Sequence, residues 1–365
     1  MFRGVCALAA AMTVLAAVPA SADEVTGPVD LGTLPGGLTS SGLAVTNHGT
    51  VFGTAYDAAF HQHAARWDAA GRVADLRPSD GHDEVTAVAI NEAGVAIGNS
   101  MTNVLVGRAT RWDASGVPVE LPLLPGFPYH PSTEAAAIND RGVIAGFAYG
   151  APGPDTAVRW ETDGTVTELG FGRVRAMNEA GAVIGWYGDQ ARYWDPAGNL
   201  VELTGAGTLS DLDDAGTVVG RSGSHAAKWG PAGHLTVLDT TWESSSALAI
   251  TAGGTIIGEV TGKDRQTRVA RWDPAGRLTV LPTPNGVPSR FTAVSRTGVV
   301  LGETDWTTSV VWDTAGQVSV LPPPPVENAS CHGYGLNDWE VTGSCSVPGR
   351  NSHAVLWRFG EPVGN

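Results

Sequence analysis

One hexapeptide recurs along the whole chain and restricts its fold more than any other feature. Its fullest form is Arg271-Trp272-Asp273-Pro274-Ala275-Gly276, and recognisable copies place tryptophan at Trp67, Trp112, Trp160, Trp194, Trp229, Trp272, Trp312 and Trp357. The intervals run from 34 to 48 residues. A period of that size means repeated supersecondary units that bury their apolar faces only against one another.

Two further signatures flank each tryptophan. Ahead of it comes a small apolar run, then Asn or a substitute, two residues, Gly and a β-branched pair, as in Ala89-Ile90-Asn91-Glu92-Ala93-Gly94-Val95. The Asn position is read as Asn47, Asn91, Asn139, Asn178 and Asn337, replaced by Asp213, Thr251 and Ser295. After every tryptophan but the last comes an alternating segment such as Leu278-Thr279-Val280-Leu281. Each unit therefore carries four short β-like runs. The inner two connections are tight turns, in which a short polar side chain bonds its own backbone and Gly accepts positive φ. Four antiparallel strands in about 43 residues match one blade of a propeller and no helical repeat.

The expected fold is all-β: a single eight-bladed β-propeller over residues 23–365, with units at about 35–76, 77–124, 125–171, 172–205, 206–240, 241–283, 284–323 and 324–365. The last unit stops before a fourth strand, and an orphan fourth-strand-like segment precedes the first. Residues 28–34 are therefore expected to pair with Ala354–Trp357 and seal the ring, leaving no open edge. An open solenoid is the alternative.

Composition agrees with this reading and bounds location and partners. Gly is abundant at 48 residues, Lys occurs only at Lys228 and Lys263, and no helix-period segment follows residue 22. Residues 1–22 have one early cation, Arg3, an apolar run from Val5 to Val18, and Ala20-Ser21-Ala22 at their end. That is the pattern of a secretory signal peptide, and no segment is apolar for the roughly 20 residues a membrane helix needs. The expectation is a secreted, extracellular monomer. The formal charge of −15, with no basic stripe, argues against nucleic acid and anionic membrane surfaces as partners. Cys331 and Cys345 would face each other across a hairpin turning at Asn337–Glu340, which reads as a disulfide; two buried thiols are the alternative.

With those residues in place, the units resemble the HAF repeats of bacterial extracellular proteins. The likeness rests on Asp30-Leu31-Gly32-Thr33-Leu34-Pro35-Gly36-Gly37 followed by Ala44-Val45-Thr46-Asn47, and on His353-Ala354-Val355-Leu356-Trp357. It implies export and a repeat scaffold, and no particular activity. Most units depart from the His-Ala-Phe wording, reading Ala-Ala-Arg-Trp or Val-Ala-Arg-Trp.

Function is expected on the face opposite the tight turns, where the connections vary in length and sequence. Tyr56, Asp57, His61, Tyr129, His130, Tyr149, Trp186, Tyr187, Trp242, Arg265 and Trp306 fall there. Rings beside polar groups suit a glycan or a protein ligand, although rings also cover loop backbones. His61-Gln62-His63 has a two-ligand metal spacing without a readable third ligand, and solvated or structural histidines are the alternative. Asp80, His82, Asp83 and Glu84 form an acidic cluster without Ca²⁺-loop spacing. No hydrolase elbow, zinc-protease or phosphate-loop motif occurs, so no cofactor is expected. The favoured reading is a non-catalytic binding module. A polysaccharide-cleaving hydrolase or lyase, with carboxylates drawn from Glu84, Glu134, Glu243, Glu259 and Glu303, is the alternative, and a structural surface component is a third.

Overall fold

The computed structural model describes residues 25–102, 107–125, 132–150 and 153–360; the leader expected at residues 1–22 lies outside them. Eight four-stranded antiparallel sheets follow one another along the chain as blades 1–8. A single 3-10 turn, Pro284–Gly286, is the only helical element among the described residues. Blade 8 is made from both ends of the chain. Its first three strands are Ser330–Leu336, Glu340–Ser346 and His353–Arg358, and its fourth is Val29–Gly32. The register is Val29 against Leu356, Asp30 against Val355 and Gly32 against Ala354.

Within a blade the first strand is innermost, and first strands of neighbouring blades adjoin all the way round, blade 8 to blade 1 included. The core is eight seams between blades. Every repeat tryptophan is buried to 2% exposure or less and packs against the preceding blade: Trp67 on Ala354 and Leu356, Trp160 on Ile97 and Ala109, Trp357 on Leu301 and Val311. In five blades the indole N–H donates to the chain entering its own blade, as at Arg77 O for Trp112, Pro122 O for Trp160 and Pro322 O for Trp357, whereas among the described residues the indole N–H groups of Trp67 and Trp272 have no partner. In blades 1, 3 and 6 the arginine before the tryptophan ties the seam on the other side. Arg271 donates to the carbonyls of Gly298, Asp313 and Thr314 in the next blade, and Arg66 does the same at Gly94, Asp113 and Ala114. The Arg-Trp pair is thus a bracket that joins three blades.

The turn asparagine has two partners as well. Asn91 Oδ1 accepts from Val95 N in its own turn, while its Nδ2 donates to Asn139 O in the next blade. The relay continues from Asn139 to Asn178 O and from Asn178 to Asp213 O, and Asn337 crosses the closing seam to Thr46 O. Asp213, Thr251 and Ser295 keep the acceptor but lack the amide donor. One alignment needs correction: Thr46, not Asn47, occupies this position in blade 1, because Thr46 Oγ1 accepts from Thr50 N. Asn47 stands where Glu92 stands in blade 2.

A second glycine, in the middle of each second strand, is common to all eight blades: Gly53, Gly98, Gly146, Gly185, Gly220, Gly258, Gly302 and Gly343. The inner strand bulges opposite it in every blade. The bulge presses a carbonyl oxygen to well under 3.0 Å from where a Cβ would sit. Only glycine admits that approach. Cys331 and Cys345, opposite each other in blade 8, form a disulfide. No helix among the described residues is long and apolar enough to cross a membrane.

Candidate functional site

The alternation of strands places the two repeated turns of every blade, Asn-x-x-Gly and Trp-Asp-x-x-Gly in their fullest form, on one face. The connections between second and third strands, and those between blades, lie on the other. The bulge fixes which inner-strand side chains reach the rim of the axial channel on that long-loop face. The residue just before the bulged pair lies five positions ahead of the turn residue in each blade. Glu134, Arg173, Arg290 and His332 hold it in blades 3, 4, 7 and 8, and Ser or Thr holds it in the other four. All eight are half-buried or exposed, whereas the residues that follow them face the seams. Blades 3 and 7 lie across the ring from each other, as do 4 and 8. Glu134 is therefore set opposite Arg290, and Arg173 opposite His332.

A cleft adjoins this rim between blades 6 and 7. It has a volume of about 260 Å³ and is lined by Arg265, Gln266, Thr267, Ser289, Arg290, Glu303, Asp305 and Trp306. Trp306 is 62% exposed, and the Arg290 guanidinium lies over its ring, 3.7 Å from the centroid. The turn that presents the indole puts Asp305 and Trp306 at φ of +50° and +64°. In the shorter turns of blades 4 and 5 that left-handed conformation falls to Gly188 and Gly223. Non-glycine residues held there cost of order 1 kcal/mol or more each and gather at binding sites. At the back of the cleft, Glu303 Oε1 is 2.9 Å from His332 Nδ1, and the His332 ring stacks with Tyr334 at 6.5 Å.

The expected aromatic residues are distributed around the face rather than gathered. Trp186 and Tyr187, exposed by 42% and 39%, form a second patch on blade 4 with Phe171 at 5.9 Å from Tyr187 and Arg192 over the Tyr187 ring. Tyr56 donates its hydroxyl to Gln62 Oε1, Tyr149 packs on Phe147, and Trp242 packs against the seam between blades 5 and 6. Burial pushes the Tyr149 hydroxyl pKa up. Tyr129 and His130 lie outside the described residues. Of the acidic candidates, Glu259 accepts from Phe291 N as a strap between blades, and Glu84 and Glu243 are exposed. Glu303 holds the same strand position as Glu259 but is turned to His332 instead.

The histidine pair is brought into a polar hollow on blade 1. Asp57 Oδ2 lies 3.4 Å from His61 Nδ1 and 3.9 Å from His63 Nε2, and His63 Nδ1 bonds Asp75 Oδ1 at 2.7 Å. That bond, opposed by burial, raises the His63 pKa above its ordinary value. The other Asp57 oxygen holds its own loop through Ala59 N and His61 N. His82 bonds Ser79, while Asp80, Asp83 and Glu84 are solvated. Among the described residues, no three His, Cys, Asp or Glu side chains are arranged to hold a metal ion.

Arg290 and His332 were not among the expected site residues. Counting back five from each turn residue identifies both.

No family model matches the chain, and no curated protein matches it. Among solved structures it is similar to the propeller of Dos1, at 12% identity and TM-score 0.54, over 93% of this chain and 96% of that one. It is also similar to a prolyl endopeptidase at 14% and 0.55, covering 84% of this chain but only 54% of the peptidase. A third likeness is to virginiamycin B lyase from Staphylococcus aureus, at 14% and 0.48, over 91% and 98%. At such identities the likeness concerns the scaffold, and the chain is a β-propeller. Its eight blades carry a cleft at the rim that the repeat itself does not require.

Proposed function

We propose that the protein is a secreted binding module that holds a glycan on its long-loop face, with Trp306 as the stacking platform. The carrying observation is the indole itself, 62% exposed beside a stacked guanidinium and presented by a turn in the left-handed region. An apolar ring so exposed contributes nothing to the seams, and it suits the apolar face of a sugar while polar neighbours fix orientation. Export is supported by the signal-like residues 1–22, by the disulfide, and by the HAF-like wording of the repeats. A monomer with no nucleic-acid partner fits the closed ring and the charge of −15.

The test is a glycan array probed with the wild type and with Trp306→Ala, followed by product analysis of each bound glycan. The expected result is a hit weakened at least 10-fold in the variant at unchanged melting temperature, with the glycan recovered intact. An array without hits, or hits indifferent to Trp306→Ala, would overturn the reading. The 2.9 Å contact of Glu303 with His332 favours a second reading, polysaccharide cleavage at the same rim. Recovery of shortened oligosaccharides would establish it in place of the first.

A further inference from the structure

We infer that the glycan held at this cleft is an acidic one, whose oxyanion substituent is taken by Arg290 and Arg265. The inference rests on the glycan-binding reading and deepens it.

The argument starts from an ion pair that is not made. Arg290 and Glu303 are register partners on adjacent antiparallel strands of blade 7, so their side chains emerge on the same side within reach of each other. A cross-strand salt bridge is the ordinary outcome. Here the Glu303 carboxylate is instead drawn across the seam to His332, 2.9 Å away on blade 8. Arg290 turns onto the Trp306 ring. Among the described residues its guanidinium has no carboxylate within 4.0 Å and no hydrogen-bond acceptor, and the same holds for Arg265 across the cleft.

That condition sets the two apart from most arginines of the chain. Arg72, Arg173 and Arg277 pair with aspartates, while Arg66 and Arg271 bond backbone carbonyls. Held over the indole ring, the Arg290 guanidinium leaves an N–H edge without an acceptor. That edge is a fork matched to two oxygens of a carboxylate or sulfate. Within the cleft the formal charges are two arginines, Arg265 and Arg290, against Glu303 and Asp305, and the Glu303 carboxylate is engaged by His332. Indole and unpaired guanidinium together read a sugar with an apolar face and an oxyanion substituent.

The experiment titrates the full-length mature protein with three probes, at 20 and 200 mM salt. They are a galacturonic acid oligomer, the same oligomer methyl-esterified, and a sulfated neutral galactan oligomer. The expected result is that at least one acidic probe binds 10-fold or more tighter than the ester and loses affinity with salt. Which acidic probe binds tells a carboxylate from a sulfate. Arg290→Gln should abolish the acidic preference while keeping residual stacking on the ester, and Arg265→Gln should reduce it. Trp306→Ala should weaken all probes alike. Equal or tighter binding of the ester, or an acidic preference untouched in both arginine variants, overturns the inference and leaves the glycan-binding reading standing. Binding of none of the three, together with an empty glycan array, overturns both.

Discussion

Breaking the Cys331–Cys345 bond measures how far one hairpin controls the sealed ring. The two cysteines are 14 residues apart in sequence and belong to adjacent strands of the same blade. The closed loop is therefore about 15 residues, and the chain-entropy relation assigns it about 3 kcal/mol. A chain with roughly 330 ordered residues has an unfolding entropy near 0.7 kcal/mol/K, so all-or-none melting should shift down by about 4 °C on reduction. The sulfurs also fill a seam with Leu301, Val341 and Trp357. The double variant Cys331→Ala/Cys345→Ala should then melt a degree or more below the reduced wild type and ignore reductant. The assay is calorimetry of the wild type with and without dithiothreitol beside the double variant. A reduced wild type within 1 °C of the oxidised form refutes the entropic account. A fall beyond about 10 °C refutes the confinement of the effect to one hairpin, since the closing seam would then be opening as well.

Three other outcomes follow from the bracket, the bulge and the buried imidazole. Arg271→Met strands three carbonyls in the next blade and should cost about 2–4 kcal/mol by denaturant titration, whereas Arg277→Met, an exposed pair, should cost at most about 1 kcal/mol. Gly185→Ala drives a Cβ into the Arg173 carbonyl and should destabilise by about 1–3 kcal/mol, read the same way, while an unchanged midpoint would refute the close approach. The Asp75 hydrogen bond raises the His63 pKa above the ordinary histidine value of 6.5, so folding takes up a proton. Its stabilisation is present in full below pH 6.5 and is lost as pH rises through the higher folded value. Melting from pH 5.5 to 8.5 should therefore show the advantage of wild type over His63→Gln shrinking with pH, and a widening gap would contradict the assignment.

The architecture was legible because its determinants are local and repeated. Tryptophan, turn glycine and the Val-x-Leu run each mark a strand end, and eight copies average out the weak signal of any one. The orphan Val29–Gly32 gave the closure for the same reason, since it is a fourth strand with no blade of its own. The misplacement at Asn47 shows the limit of reading by residue type. Asn is favoured there for its amide, yet Thr46 supplies the turn acceptor with a hydroxyl, and only the hydrogen bonds distinguish the two positions.

The candidate site was harder to read because it departs from the repeat instead of restating it. Searching for aromatic residues in long loops found Trp306 but not what surrounds it. Arg290 and His332 sit on inner strands, where alternation predicts structure, and nothing in their own neighbourhoods signals exposure. Their importance comes from a bulge and from a missing pair: Glu259 straps one blade to the next, while Glu303 at the matching position leaves its strap undone and turns to His332. Ser309 Oγ, on the strand beside Glu303 in blade 7, accepts the blade 8 Gly333 N–H that Glu303 would otherwise have received. The scaffold thus meets its backbone hydrogen-bond requirement by another route, which releases a carboxylate, and with it an arginine, beside the Trp306 indole that stands out from the ring. A propeller can acquire a binding site in this way without altering any residue that defines a blade.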